Sequence, residues 1–212
     1  PKGTAVYDIE RGRLSDIADF PWLTDDSIDW KSWCDIKDPD YKSTNRLIDT
    51  LVDIVSKNGC LLLNITPKAN GEIPQPVQQR LLEMGNWLNL NGEAIYGTRP
   101  WKTYGEGPTK VVEGHMSEQK NKDATAEDIR FTTKEDVLYA IILGWPEDGV
   151  CEIKSLSSNG IFEKNIESVL LLGYDGKIEW SQDKDSLKAH MPNTKPCDHA
   201  FVLKIQTDSP FL

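Results

Sequence analysis

Residues 53–74 read Asp53-Ile-Val-Ser-Lys-Asn-Gly-Cys-Leu-Leu-Leu-Asn64-Ile-Thr-Pro-Lys-Ala-Asn-Gly71-Glu-Ile-Pro74. The stretch predicts the end of a helix, a turn at Asn58-Gly59, and a strand over the apolar run Cys60–Leu63. A short unbroken apolar run between helices is the signature of a parallel strand with both faces covered. The run stops at a polar Asn64, and a Pro/Gly loop leads to a new helix near Pro74. A polar side chain at the carboxyl end of such a strand points into the mouth of an α/β barrel, where barrel enzymes keep their sites.

The flanks extend this pattern. Upstream, Ala5–Ile9 predicts a strand ending in the charged triplet Glu10-Arg11-Gly12. Residues 14–42 show no sustained period but are rich in Trp, Pro and Asp, a long loop of the kind that tends to be functional. Ser43 or Thr44 caps a helix whose apolar stripe runs through Leu47, Leu51 and Ile54. The helix after Pro74 places Val77, Leu81, Met84 and Leu88 on one face and stops at Asn91-Gly92. After Trp101 the character changes. Residues 103–128 are polar and read as a loop or ragged hairpin. Seven short strand candidates follow between residues 129 and 206, a spacing that argues for an antiparallel β-sandwich. The expected fold class is therefore α/β followed by all-β, with a boundary between 1–100 and 101–212.

The 212 residues carry 34 Asp and Glu against 24 Lys and Arg. That acidic balance argues against nucleic acid as a partner, since phosphates demand a basic patch. No apolar stretch reaches membrane-spanning length. Cys34, Cys60, Cys151 and Cys197 form no C-x-x-C pair, and the three His are isolated, so neither a metal site nor a cofactor is expected. Cys60 reads as a buried thiol acting as a small hydrophobe. A Cys151–Cys197 bridge is open but not demanded.

The wording VSKNGCLLLNITPKANGEIP at 55–74, then QQRLLEMGNWLNLNGEAIYGTRPW at 78–101, resembles the closing barrel segment of the α-L-fucosidases, glycoside hydrolase family 29. The YDIERG element at 7–12 and the loop Phe20-Pro21-Trp22-x-Thr24-Asp25-x-Ser27-Ile28 are similar to a bacterial branch of that family. The resemblance covers residues 5–101. It implies the C-terminal portion of a (β/α)8-type barrel plus the C-terminal sandwich of a retaining exo-α-L-fucosidase. In the family a covalent intermediate forms on an Asp from an earlier strand, which on this alignment lies before residue 1. The implied partners are a fucosylated oligosaccharide or glycan and the missing N-terminal part of the barrel, on the same or a separate chain. A secreted or periplasmic setting, lysosomal in a eukaryote, is implied by the family alone. The sequence departs from the usual wording at Cys34, Cys60 and Thr66, near-site changes that bear on linkage specificity.

Two carboxyl groups must flank a scissile glycosidic bond. Acids in strand-end or loop sequence are Glu10, Asp25, Asp26, Asp29, Asp35, Asp38 and Asp40. Position in the family singles out Asp38, Asp29 and Glu10 as candidates for the acid/base, one of the three. Trp22 and Trp33 read either as sugar platforms or as loop anchors. Asn64 reads as a tie between strand end and loop, or as a sugar contact. A catalytically inactive carbohydrate-binding protein on the same scaffold is the rival reading.

Overall fold

The computed structural model describes residues 5–211. Three parallel strands come first: β1 (Tyr7–Asp8), β2 (Trp22–Ser27) and β3 (Gly59–Asn64), in the order β1-β2-β3. Helix α1 (Thr44–Ser56) crosses from β2 to β3, and α2 (Gln75–Asn91) follows β3. Ser43 caps α1, its hydroxyl accepting the Arg46 N–H at 3.1 Å. This satisfies one of the orphan donors every helix start carries. Pro76 sits in the first turn of α2, where a missing N–H costs nothing.

Eight antiparallel strands complete the chain: β4 (Arg99–Glu106), β5 (Ile129–Lys134), β6 (Val137–Ile142), β7 (Val150–Ile153), β8 (Ile166–Leu171), β9 (Glu179–Gln182), β10 (Leu187–His190) and β11 (Phe201–Thr207). They form a five-stranded sheet, β4-β5-β6-β11-β8, and a three-stranded sheet, β7-β10-β9. Strand β6 is buried along its whole length because both faces of its sheet are covered. Leu138, Ala140 and Ile142 point toward β7 and β10, meeting Cys151, Ile153, Leu187 and Ala189. Val137, Tyr139 and Ile141 point the other way, onto Leu47, Ile48 and Val52 of α1 and Val77, Met84 and Trp87 of α2. The two-residue period of the strand thus builds two cores at once.

Two strands escaped the sequence reading. The 14–42 stretch contains β2, whose Trp-Leu-Thr-Asp-Asp-Ser wording carries no apolar run. Strand β4 begins inside the predicted exit and enters the supposed polar loop, with a register break between Pro100 and Gly105. The 107–128 segment that follows is fixed rather than ragged. The Arg46 guanidinium donates to the carbonyls of Glu118, Asn121 and Lys122, and Asp128 accepts from Thr109 and Thr125.

Strand β3 is parallel as expected, but only one of its faces is covered. Leu61 and Leu63 pack inward, whereas Leu62 is 57 % exposed and Cys60 is exposed too. The expectation of a buried Cys60 is therefore corrected, because nothing among the described residues covers that face. Cys151 and Cys197 are free thiols, so no bridge joins them. Burial pushes the Cys151 thiol up to about 12.

Charge is buried on the inner side of α1. The Asp53 carboxylate accepts from Lys57 at 2.9 Å, Arg13 at 3.2 Å and Arg130 at 2.7 Å. Burial opposes its ionisation, but the three cations outweigh it and hold the carboxyl well below the usual range. Lys57 shares that single carboxylate with two guanidiniums. Burial, against the pull of Asp53, leaves its amine lowered to about 8.

One turn earlier, Asp49 keeps an unpartnered buried oxygen. Burial, with Asp123 adding to it against Arg46, raises its carboxyl from 3.8 to about 7. Its contribution to stability is thus intact below about pH 4 and is lost as pH rises through 7. Asp49→Asn should therefore stabilise the full-length protein at pH 8 by about 2 kcal/mol. In thermal unfolding, the gain over wild type should shrink progressively toward pH 4.

Candidate active site

The open face of the parallel sheet gathers acids at its carboxyl end. Asp8 and Glu10 are exposed on it, while Ile9 between them is buried in the cluster with Trp22 and Ile54. The ladder continues past β1, with the Ile9 N–H donating to Leu23 O and the Arg11 N–H to Asp25 O. This places Glu10 level with Asp25 on the next strand. The Asp25 carboxyl is raised from its ordinary value by burial first, then by the Asp8 carboxylate, with Glu10 contributing less. One of its oxygens is buried without a partner. Three carboxyl groups on two adjacent strand ends are the densest acid grouping on this face. Sequence pattern places Asp25 among the strand-end and loop acids without singling it out, since the strand carrying it has no apolar run.

The three acid/base candidates occupy different settings. Glu10 is exposed at the strand end, its N–H donating to His115 Nδ1 and its carbonyl accepting from the Met116 N–H. Asp29 is 1 % exposed. Its Oδ1 accepts the Lys31 N–H in a local turn and its carbonyl accepts from Arg11. That geometry ties a loop through Oδ1, while Oδ2 is buried without a partner. Asp38 is exposed on the same loop, where its carbonyl accepts from Lys31 Nζ at 3.0 Å.

Arg11 knots the mouth together. Its guanidinium donates to the carbonyls of Asp29, Trp30 and Ser32 and to the Glu118 carboxylate at 2.9 Å. It also lies 4.6 Å from the centre of the Trp33 ring. A planar donor fork with five N–H groups suits such a convergence of carbonyls, which a lysine could not match. Asn64 closes the knot from β3, its Nδ2 donating to Trp33 O at 2.7 Å and to Ser27 Oγ at 3.2 Å. Beneath the loop, Lys42 is fully buried against Asp26, with Trp30 over its ammonium. Burial lowers the Lys42 amine, and Asp26 pulls it back up.

Trp22 is no sugar platform. It lies on β2, 1 % exposed, with its Nε1–H donating to Lys57 O at 2.9 Å. A Cβ on Gly59 would fall 2.5 Å from its ring, which explains a glycine at the start of β3. Both ring faces are enclosed, so the anchor reading replaces the sugar-stacking one. Trp33 is only half-buried and stands beside the strand ends. Among the described residues no group of three or more His, Cys, Asp or Glu could hold a metal ion, and no helix is long and apolar enough to cross a membrane.

The comparisons with known proteins agree over nearly the whole chain. Residues 2–93 match the profile of the α-L-fucosidases, and residues 121–206 that of the α-L-fucosidase C-terminal domain. Tissue α-L-fucosidase of Rattus norvegicus is 32 % identical over 204 residues, covering 92 % of this chain and 39 % of the relative. The human tissue enzyme is 33 % identical over 197 residues, covering 89 % and 38 %. The structure of Thermotoga maritima α-fucosidase in complex with fucose superposes with a TM-score of 0.71 at 27 % identity, covering 91 % of this chain and 41 % of that one. The chain thus spans about two fifths of the length of the curated relatives it matches.

The two tryptophans separate on mutation. Trp22→Ala should cost about 3–5 kcal/mol in denaturant unfolding, through the void and the lost indole bond. Trp33→Ala should cost about 1 kcal/mol, the worth of its stacking on Arg11. From its two matched segments and its relatives, the chain belongs to the α-L-fucosidase family, glycoside hydrolase family 29.

Proposed function

We propose that this chain is the closing part of the catalytic barrel and the C-terminal sandwich of a retaining exo-α-L-fucosidase, with Glu10 as the acid/base. In this reading residues 1–100 complete the barrel and residues 101–212 form the sandwich domain. The observation that carries the reading is the parallel β1-β2-β3 sheet with one uncovered face and Glu10, Asp8 and Asp25 at its carboxyl end. Upstream strands would cover Leu62 and Cys60, close the barrel and bring the nucleophile Asp. A barrel needs eight such strands. The plasma enzymes among the relatives support a secreted setting.

The chemistry then divides between two carboxyl groups. The upstream Asp attacks the anomeric carbon of a terminal α-L-fucosyl unit as Glu10 protonates the departing glycosidic oxygen. Glu10, now a carboxylate, takes a proton from water as that water displaces the Asp, and the fucose leaves with its configuration retained. The acid must hold its proton before the first step. Trp33, held by Asn64 and Arg11, would wall the pocket on the side of the fucose methyl group.

In the full-length enzyme, Glu10→Ala should lower kcat/KM about 10²–10⁴-fold on fucosides with poor leaving groups. Azide should restore turnover of an activated aryl fucoside and yield α-L-fucosyl azide, the product of a retaining enzyme lacking its acid/base. Asp38→Ala and Asp29→Asn should show no such rescue. Rescue in the Asp38 variant instead would move the assignment there. A wild-type protein that binds fucose without turnover would establish the inactive binding protein.

A further inference from the structure

The segment Glu113–Glu118 lies antiparallel against Glu10–Ser15, about a hundred residues away in sequence. The Gly114 N–H donates to Arg13 O at 3.1 Å, and the Met116 N–H to Glu10 O at 2.8 Å. The amides of Ser117 and Glu118 both donate to Arg11 O, at 3.0 and 3.1 Å. The Ser15 amide and hydroxyl reach the Glu113 carboxylate. In the opposite direction, the Glu10 N–H donates to His115 Nδ1 at 3.1 Å. Approach is so close at Gly12 that a Cβ there would stand 1.9 Å from the Gly114 carbonyl oxygen. Both segments take left-handed backbone to meet, at Arg11 (φ 45°) and Met116 (φ 53°), an arrangement non-glycine residues adopt only when surroundings impose it.

The geometry points to His115 as a positioning residue for Glu10, and to the 113–118 segment as the clamp that sets the acid/base. This deepens the reading of Glu10 given above and rests on it. Glu10 has its N–H held by His115 and its carbonyl by Met116, one peptide bond on either side of its Cα. Only its side-chain torsions are left to move, and that side chain is exposed on the open face. A general acid works only when its proton lies within about 3 Å of the leaving oxygen, so a shift of the Cα is felt as lost protonation. His115 acts through the backbone of Glu10 and touches no reacting atom. The chemistry it serves is release of a poorly acidic alcohol, such as the sugar hydroxyl of an oligosaccharide.

The test uses the full-length enzyme and a series of aryl α-L-fucosides from strongly to weakly acidic phenols. His115→Ala should lower kcat/KM about 10-fold or more on the weakly acidic phenol. On the 2,4-dinitrophenyl fucoside, whose leaving group needs no proton, it should change little. His115→Asn, whose amide oxygen occupies the place of Nδ1, should restore the loss. Gly12→Ala, which pushes the same segment away, should reproduce the leaving-group dependence. An equal loss on every substrate, or no loss on any, would overturn the proposal. If Glu10→Ala itself shows no leaving-group dependence, the assignment of Glu10 fails, and that outcome is separable because it is read in a different variant.

Discussion

The buried Asp53 carboxylate is the constraint from which the rest of the molecule takes its positions. Its three cations come from three places: Arg13 from the segment after β1, Lys57 from the end of α1, and Arg130 from β5. Burying one of these charges alone would cost several kcal/mol, so each must reach the hub or leave the interior. The Tyr104 ring faces both Lys57 and Arg130, at 4.5 and 5.3 Å, and closes the site from β4. The parallel strands and the antiparallel sheets are thereby locked together by charge as well as by the apolar core between α1, α2 and β6. Arg13 carries the effect toward the mouth. With its side chain held at Asp53, its carbonyl is placed to accept from Gly114, and the 113–118 segment settles on Glu10.

Chemistry at the mouth inherits this order. Arg11 takes up the carbonyls of the 29–32 loop and the Glu118 carboxylate, so one side chain joins the loop after β2 to the segment after β4. Asn64 ties the same loop to the end of β3. The 29–33 loop and the Glu10 strand end are therefore held from three strand ends and from the polar 107–128 segment together.

Much of this was legible in the sequence, and the gaps have physical reasons. Helices α1 and α2 announced themselves through the period of Leu47, Leu51 and Ile54 and of Val77, Leu81 and Met84. Strand β3 was legible as an apolar run stopping at Asn64. Strand β2 was hidden because its inward positions after Trp22 are Thr24 and Asp26, polar groups that become core only when Lys42 and the Ile9 and Gly12 carbonyls meet them. Cys60 and Leu62 read as buried because an unbroken apolar run carries no mark of which face stays open. Trp22 looked like a loop aromatic for the same reason that β2 was missed. Among the acids, local pattern could not show that Asp29 is buried in its own turn while Glu10 and Asp38 are exposed, since these are tertiary facts. The His115 contact joins residues 105 apart, with no signal in either stretch alone.

The central claim is that Glu10 serves a covalent, two-step reaction as its acid and then its base. The most direct measurement is the intact mass of the full-length Glu10→Gln enzyme during turnover of 2,4-dinitrophenyl α-L-fucoside. The activated phenol leaves without help, whereas the second step needs the missing base. The account predicts that the protein gains the mass of one fucosyl unit, carried on an Asp upstream of this segment. A variant that turns over at the wild-type rate with no adduct would contradict it.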